Sequence, residues 1–220
     1  MDKNTIHTIK QDKKEHILNT AEKVFAELGY EGASTRHLAG EAGVNMAMLN
    51  YYFGSKDGLF KAVLERRISS MRRELLQVKE QPIASWDKVL QVIDVYLNRV
   101  MLNNCFHRLI HRELSLSQRS EMGDFISEHV LHNVNIINSI IKEGIEEGDF
   151  KEVDVEMTIS SVLGTMYYII NSSQVASKML FKDFQDPEVM EKEIKPRIRT
   201  FLHDYLKVFL LKHDSQNESI

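Results

Sequence analysis

Residues 33–60 read ASTRHLAGEAGVNMAMLNYYFGSKDGLF, and this stretch decides the fold. The hydroxyls of Ser34-Thr35 offer an N-cap to a short helix over Arg36–Ala42, and Gly43 stops it after two turns. Asn45 is a good cap for a second short helix, Met46–Phe53, which Gly54-Ser55 ends. Ser55 then caps a long helix from Lys56, with Asp57 in the first turn, where the helix dipole favours a carboxylate. Two short helices joined by Ala42-Gly43-Val44-Asn45 follow the helix-turn-helix plan, whose second helix enters the major groove of DNA.

Helical period sorts the side chains of this pair. Leu38, Ala39, Val44, Leu49 and Phe53 form an apolar set that packs inward. Asn45, Met46, Ala47, Asn50 and Tyr51 are left facing outward, a face without charge. Asn pairs with adenine through two hydrogen bonds, and Ala or Met touches a thymine methyl. Around this face stand donors suited to phosphate: the Thr35 hydroxyl, Arg36, Tyr51, Tyr52 and Lys56.

The rest of the chain is helical too. Upstream, Ile17, Ala21, Val24, Phe25 and Leu28 line one face of a helix over Lys13–Leu28, which Gly29 ends. Downstream, the long helix runs to about Lys79 along Phe60, Leu64, Met71, Leu75 and Val78, with Pro82 beyond it. Further helical patterns cover Ser85–Asn103, Phe106–Leu116, Ser120–Glu147, Val155–Leu180 and Glu188–Lys212, and Pro196 is expected to begin or kink the last. No alternating strand pattern and no repeat is found. The expected fold is all-α.

Composition narrows the class. The chain has 220 residues, 43% hydrophobic and 27% charged, close to a soluble globular average. No apolar run approaches the ~18 residues of a membrane span, and the polar start lacks a secretory pattern. A lone Cys105 suits a reducing compartment, so a cytoplasmic protein without a membrane partner is expected. The net charge of −4 hides an asymmetry: residues 1–73 carry 12 Lys/Arg and 9 Asp/Glu, the remainder 16 and 23. The positive end is the one with the helix pair, where a polyanion docks.

From Ile17 to Phe60 the chain resembles the N-terminal domain of the TetR family of bacterial transcriptional regulators. The likeness is carried by Ala21, Phe25, Gly29-Tyr30, Ser34-Thr35, Leu38-Ala39 and Ala42-Gly43-Val44, then by the run Leu49-Asn50-Tyr51-Tyr52-Phe53-Gly54-Ser55-Lys56-Asp57-Gly58-Leu59. The resemblance implies DNA contacts from Thr35, from Asn45-Met46-Ala47, from Tyr51 and Tyr52, and from Lys56. The family often has glycine at the position of Ala47 and tyrosine at that of Asn50. The second departure exchanges a common phosphate contact for an amide able to read a base. The domains implied are a helix-turn-helix DNA-binding domain over 10–72, with the motif at about 34–53, and an effector-binding and dimerisation domain over 73–220.

The apolar faces of the last two long helical patterns are wider than the ~100° stripe a one-sided helix needs. Ile194, Ile198, Phe201, Tyr205 and Val208 form one stripe, with Leu202, Leu206 and Phe209 beside it; Val155, Ile159, Val162, Leu163, Met166, Ile169 and Ile170 form the other. A homodimer covering part of both is expected, with Val162, Met166, Ile198, Phe201, Leu202, Tyr205 and Phe209 at its interface. Tyr96, Met101, Phe106, Met122, Phe125, Met166, Tyr167 and Tyr168 are candidates to line an adaptable effector pocket, although each also suits a plain core.

His107 and His111 stand i, i+4 on one helix face near Cys105 and Glu113, but no second ligand pair has matched spacing, so no metal or other cofactor is predicted. Arg66, Arg67, Arg72 and Arg73 resemble a nucleic-acid stripe, but Glu65 and Glu74 interleave with them, and a solvated face is the reading adopted. No nucleophile–base pair, phosphate loop or carboxylate pair stands out, so no enzyme is predicted. The function expected is a sequence-specific transcriptional regulator, in families of this type usually a repressor. It would bind a near-palindromic double-stranded operator as a homodimer and leave it on binding a small molecule. Two rivals remain at this level: a helical carrier that uses the short helices only for packing, and a helix-bundle enzyme with metal near His107 and His111.

Overall fold

In a computed structural model the described residues are 3–102, 104–115 and 120–212. They form helices α1 (Lys3–Gly32), α2 (Thr35–Glu41), α3 (Met46–Phe53), α4 (Lys56–Lys79), α5 (Ser85–Leu102), α6 (Asn104–Ser115), α7 (Ser120–Glu146), α8 (Val155–Asn171) and α9 (Ser173–Leu180). The last stretch is a short turn α10 (Pro187–Val189), a π-helical turn Met190–Ile194 and α11 (Lys195–Leu210). Among the described residues there is no strand, only an isolated antiparallel bridge between Phe150 and Leu211.

Local chemistry explains the boundaries. α1 breaks at Gly29, which takes φ +72°, a conformation costly for any residue with a side chain. The expected single helix over Val155–Leu180 is two. At Ser172 (φ −102°, ψ 38°) the polar run Asn171-Ser172-Ser173 bends the backbone, as side chains that compete for backbone hydrogen bonds do. Pro196 sits in the first turn of α11. Its ring crowds the carbonyl four residues earlier, and the wider π turn directly ahead of it accommodates that crowding.

The described residues group into two compact units, one within 1–70 and 105–129, the other within 71–104 and 130–220. α4 and α7 therefore each contribute to both, and α6 groups with the N-terminal helices. In the first unit, Phe25, Tyr30 and Phe60 form an aromatic cluster, with ring centroids 4.7 Å apart for Phe25–Phe60 and 5.1 Å for Tyr30–Phe60. Ile17, Leu18, Leu38, Leu49, Leu64, Phe106, Leu109 and Ile126 are buried with it. Arg66 and Arg67 are not simply solvated. Arg66 bonds Glu15 (3.1 Å), Asn19 (2.8 Å) and Glu22 (2.7 Å), and Arg67 Nε donates to Glu22 at 2.6 Å, which ties α4 to α1.

The second unit has its own core from α5, α7, α8 and α11, including Val92, Tyr96, Leu97, Ile140, Ile159, Met166, Ile198, Leu202 and Leu206. Three residues expected at a subunit interface, Met166, Ile198 and Leu202, are buried here at 1–4% exposure and offer a partner almost nothing. The physical reason is that α11 carries two apolar stripes. Ile198, Leu202, Leu206 and Leu210 turn into the chain's own core, while Phe201, Val208 and Phe209 face outward, with Tyr205 half-buried between.

Candidate nucleic-acid interface

The helix pair is held by its caps. Ser34 Oγ accepts the His37 N–H (3.1 Å) at the start of α2, and Asn45 Oδ1 accepts the Met48 N–H (2.8 Å) at the start of α3. Between them Gly43 adopts φ +61°, and the Val44 N–H reaches back to the Ala39 carbonyl at 3.0 Å. That tight turn needs a residue without a β-carbon penalty. α3 ends at Gly54 (φ +74°), and Ser55 Oγ accepts the Gly58 N–H (3.0 Å) as α4 begins. Gly58 packs against the end of α3: a β-carbon there would lie 2.0 Å from the Phe53 carbonyl oxygen.

Leu38, Ala39 and Leu49 are buried, whereas Val44 and Phe53 are half-buried. The other face of α3 points to solvent: Asn45, Met46, Ala47, Asn50 and Tyr51 are all exposed, Tyr51 at 70%. No charge lies on this face, and its groups are the sizes and polarities that fit base edges. Arg36 is exposed and Thr35 half-buried at the start of α2. Tyr52 is half-buried, with its ring edge-on to Tyr51 at 5.2 Å. Lys56 is half-buried; its Nζ donates to the Tyr30 carbonyl (2.9 Å) and lies 4.0 Å from the centroid of the Tyr30 ring.

Asn45 serves as the cap expected of it. Its side-chain oxygen accepts one N–H at the start of α3, which leaves it a second lone pair and the amide N–H groups for a base. Asn50, a turn and a half along, has no such commitment to the cap. Tyr30 and Asp57 enter the site unforeseen as individual contributors, because only packing and a hydrogen bond (Tyr30 hydroxyl to Asp57 Oδ1, 2.7 Å) reveal their link to Lys56.

In the second unit a small cavity of about 30 Å³ lies between α5, α7, α8 and α11. Tyr96 and Met166 are on its wall, as are Ile93, Ile140, Ile159 and Val162. Phe106, Met122 and Phe125 belong to the first unit and do not line it, and neither Met101, Tyr167 nor Tyr168 does. Burial pushes the Tyr96 phenol well above its ordinary pKa, with the neighbouring Tyr167 adding to the shift, so it is a neutral donor at any physiological pH. Burial raises Tyr167 as well. The wall aliphatics were not separable from ordinary core in the sequence, because a cavity lining and a packed face share one period.

His111 is pushed below its ordinary pKa by burial, Glu113 is buried, and the Cys105 side chain lies outside the described residues. Among the described residues no group of three His, Cys, Asp or Glu side chains is placed to hold a metal ion. Nor is any described helix long and apolar enough to cross a membrane.

The capped pair of short helices and the uncharged exposed face of the second define a helix-turn-helix DNA-binding protein. Comparison with known proteins agrees. Residues 17–63 match the family model for bacterial regulatory proteins of the tetR family. The chain is 29% identical over 163 residues to the fatty acid metabolism regulator protein of Bacillus subtilis, covering 71% of this chain and 81% of that one. It is 25% identical over 201 residues to the transcriptional repressor NicS of Pseudomonas putida, covering 87% and 89%. Among solved structures, FadR of Bacillus subtilis in complex with stearoyl-CoA superposes with a TM-score of 0.68 at 22% identity, over 86% of this chain and 96% of that one. Residues 17–63 are thus a tetR-type DNA-binding region, and the relatives that match over most of the chain are transcriptional regulators.

Proposed function

We propose that the protein is a homodimeric repressor whose two α3 helices read successive major grooves of a near-palindromic operator. Residues 10–72 are its DNA-binding domain and 73–220 its effector-binding and dimerisation domain. The observation that carries this reading is the exposed, uncharged face of Met46, Ala47, Asn50 and Tyr51, held on a helix capped at both ends. Thr35, Arg36, Tyr51, Tyr52 and Lys56 hold the phosphates around it. One short helix makes too few contacts for selectivity, and a symmetric pair about 34 Å apart doubles them. A gel shift with the DNA directly upstream of the encoding gene tests the reading. Retention that falls steeply with salt is expected, and Tyr51→Ala is expected to weaken it while leaving the melting temperature in place.

The effector in this reading has an aliphatic body. The cavity wall carries no charged or amide side chain; apart from the Tyr96 and Thr158 hydroxyls it is hydrocarbon and one thioether. A charged group buried there would lose its water without gaining a partner. The names of two relatives, a fatty acid metabolism regulator and a FadR bound to stearoyl-CoA, support an acyl chain. The cavity has room for little more than a water or two, so its side chains must move apart around a chain. The effector acts only as far as it binds the released form more tightly, and ~10²-fold preference corresponds to about 2.7 kcal/mol of coupling. Fatty acyl-CoAs of graded chain length are expected to raise the melting temperature and release the DNA; planar aromatic cations are expected to do neither.

A further inference from the structure

Lys56 is tethered before any DNA arrives. A lysine ammonium on a four-carbon stem is among the least ordered of donors, yet here it is fixed by the carbonyl of Tyr30 at 2.9 Å and by the face of the Tyr30 ring at 4.0 Å. Tyr30 is itself held and buried. Its hydroxyl donates to Asp57 Oδ1 at 2.7 Å, its ring meets Phe60 at 5.1 Å, and only 7% of it is exposed. Gly29, at φ +72°, kinks α1 just before it, and the Tyr30 carbonyl that accepts from Lys56 also accepts the Ala33 N–H at 3.3 Å. The turn is braced by α6, whose Arg112 guanidinium occupies the place a side chain at position 29 would take: a β-carbon there would lie 1.6 Å from Nη2.

We propose that Tyr30 is a positioning residue for DNA binding, holding the Lys56 ammonium where an operator phosphate will meet it. The inference rests on the reading of Lys56 as a phosphate contact. An ammonium has three donors, and the Tyr30 carbonyl takes one, so two can still reach phosphate oxygens. The ring face adds attraction without consuming a donor. Pre-ordering of this kind removes the entropy that a free lysine loses when it is pinned to DNA, and it aims the charge as well.

The test uses the full chain and a duplex of the DNA directly upstream of its gene, with affinity followed across a salt series. Lys56→Met is expected to lower the slope of log affinity against log salt by about one phosphate contact and to weaken binding roughly three- to tenfold near physiological salt. Tyr30→Leu is expected to do the same although the lysine is still present. Tyr30→Phe keeps the ring and the carbonyl, and is expected to restore the wild-type slope. The double variant Tyr30→Leu/Lys56→Met is expected to bind no more weakly than Lys56→Met. A folded Tyr30→Leu protein with the wild-type slope, or losses that simply add, would overturn the proposal. An unchanged slope in Lys56→Met would instead sink the phosphate contact on which it rests.

A second measurement needs no variant that strains the aromatic cluster. The Lys56 Nζ lies over the Tyr30 ring, 4.0 Å from its centroid, so the NMR signals of the adjoining ε-methylene protons are expected upfield of the ordinary lysine range in the free protein and to stay there in the DNA complex. Their return to the ordinary range on DNA binding would mean that Tyr30 withholds the lysine, and would also overturn the proposal.

Discussion

Two exposed asparagines, Asn45 at the cap of α3 and Asn50 within it, are committed differently. Asn45 Oδ1 accepts the Met48 N–H at 2.8 Å and so satisfies one of the amides that every helix start leaves unpaired. Asn45→Ala is therefore expected to cost about 1 kcal/mol of stability, within the ~0.5–2 kcal/mol range for caps, read as a lower urea midpoint. Asn50→Ala is expected to leave the midpoint within about 0.5 kcal/mol, as exposed substitutions do, while relaxing base preference at one operator position, read by competition with mutated duplexes. An Asn50→Ala protein that discriminates every base pair as before would remove Asn50 from the reading face. The sequence marks Asn45 equally well as a cap and as a reader, since both roles need the same short amide. The Met48 N–H on Oδ1 shows the first role and leaves the second open.

At the scale of elements, the short helices were legible almost to the residue because glycines, caps and a hydrophobic period coincide at 33–60. The charged face of α4 was not. Arg66 and Arg67 among glutamates read as a solvated surface, but their partners are 44 to 51 residues away on α1, and no local pattern announces a pair at that separation. Glu22 is the hub, with a side chain only 13% exposed and both guanidiniums on its two oxygens. Glu22→Gln keeps the shape but turns an amide N–H₂ toward one of the cations. It is expected to cost about 1–3 kcal/mol, since breaking a half-buried charged network leaves unpaired charge behind. Urea unfolding at low and high salt checks this, and a loss that vanished in high salt would mark the cluster as an ordinary surface pair. The cavity wall was illegible for a related reason: Val92, Ile140 and Ile159 obey the same helical period as the filled core around them.

For the whole molecule, the issue is what covers the apolar surface that the chain leaves open. α11 shows why periodicity alone misassigned part of it. Its apolar face is too wide for one contact, and the sequence does not say which half the chain keeps for itself. The kept half is Ile198, Leu202, Leu206 and Leu210; the half left outside holds a stack of rings, Phe201 to Tyr205 at 6.4 Å and Tyr205 to Phe209 at 5.6 Å, each pair within 11° of parallel. Phe201 is 56% exposed, and on α8 Met157 and Tyr168 are exposed as well. Exposed side chains at helical spacing on two helices suit the same two helices of a second subunit, because a two-fold axis makes such a patch its own partner. Phe201→Glu places a carboxylate in that stack without touching the buried stripe. It is expected to keep its helical circular dichroism, to run as a monomer by light scattering, and to lose roughly 10² in operator affinity, because the second half-site is no longer held at high effective concentration. A dimer that survives Phe201→Glu moves the interface off α11. A monomer with undiminished operator affinity refutes the paired reading of two grooves, since one α3 would then suffice.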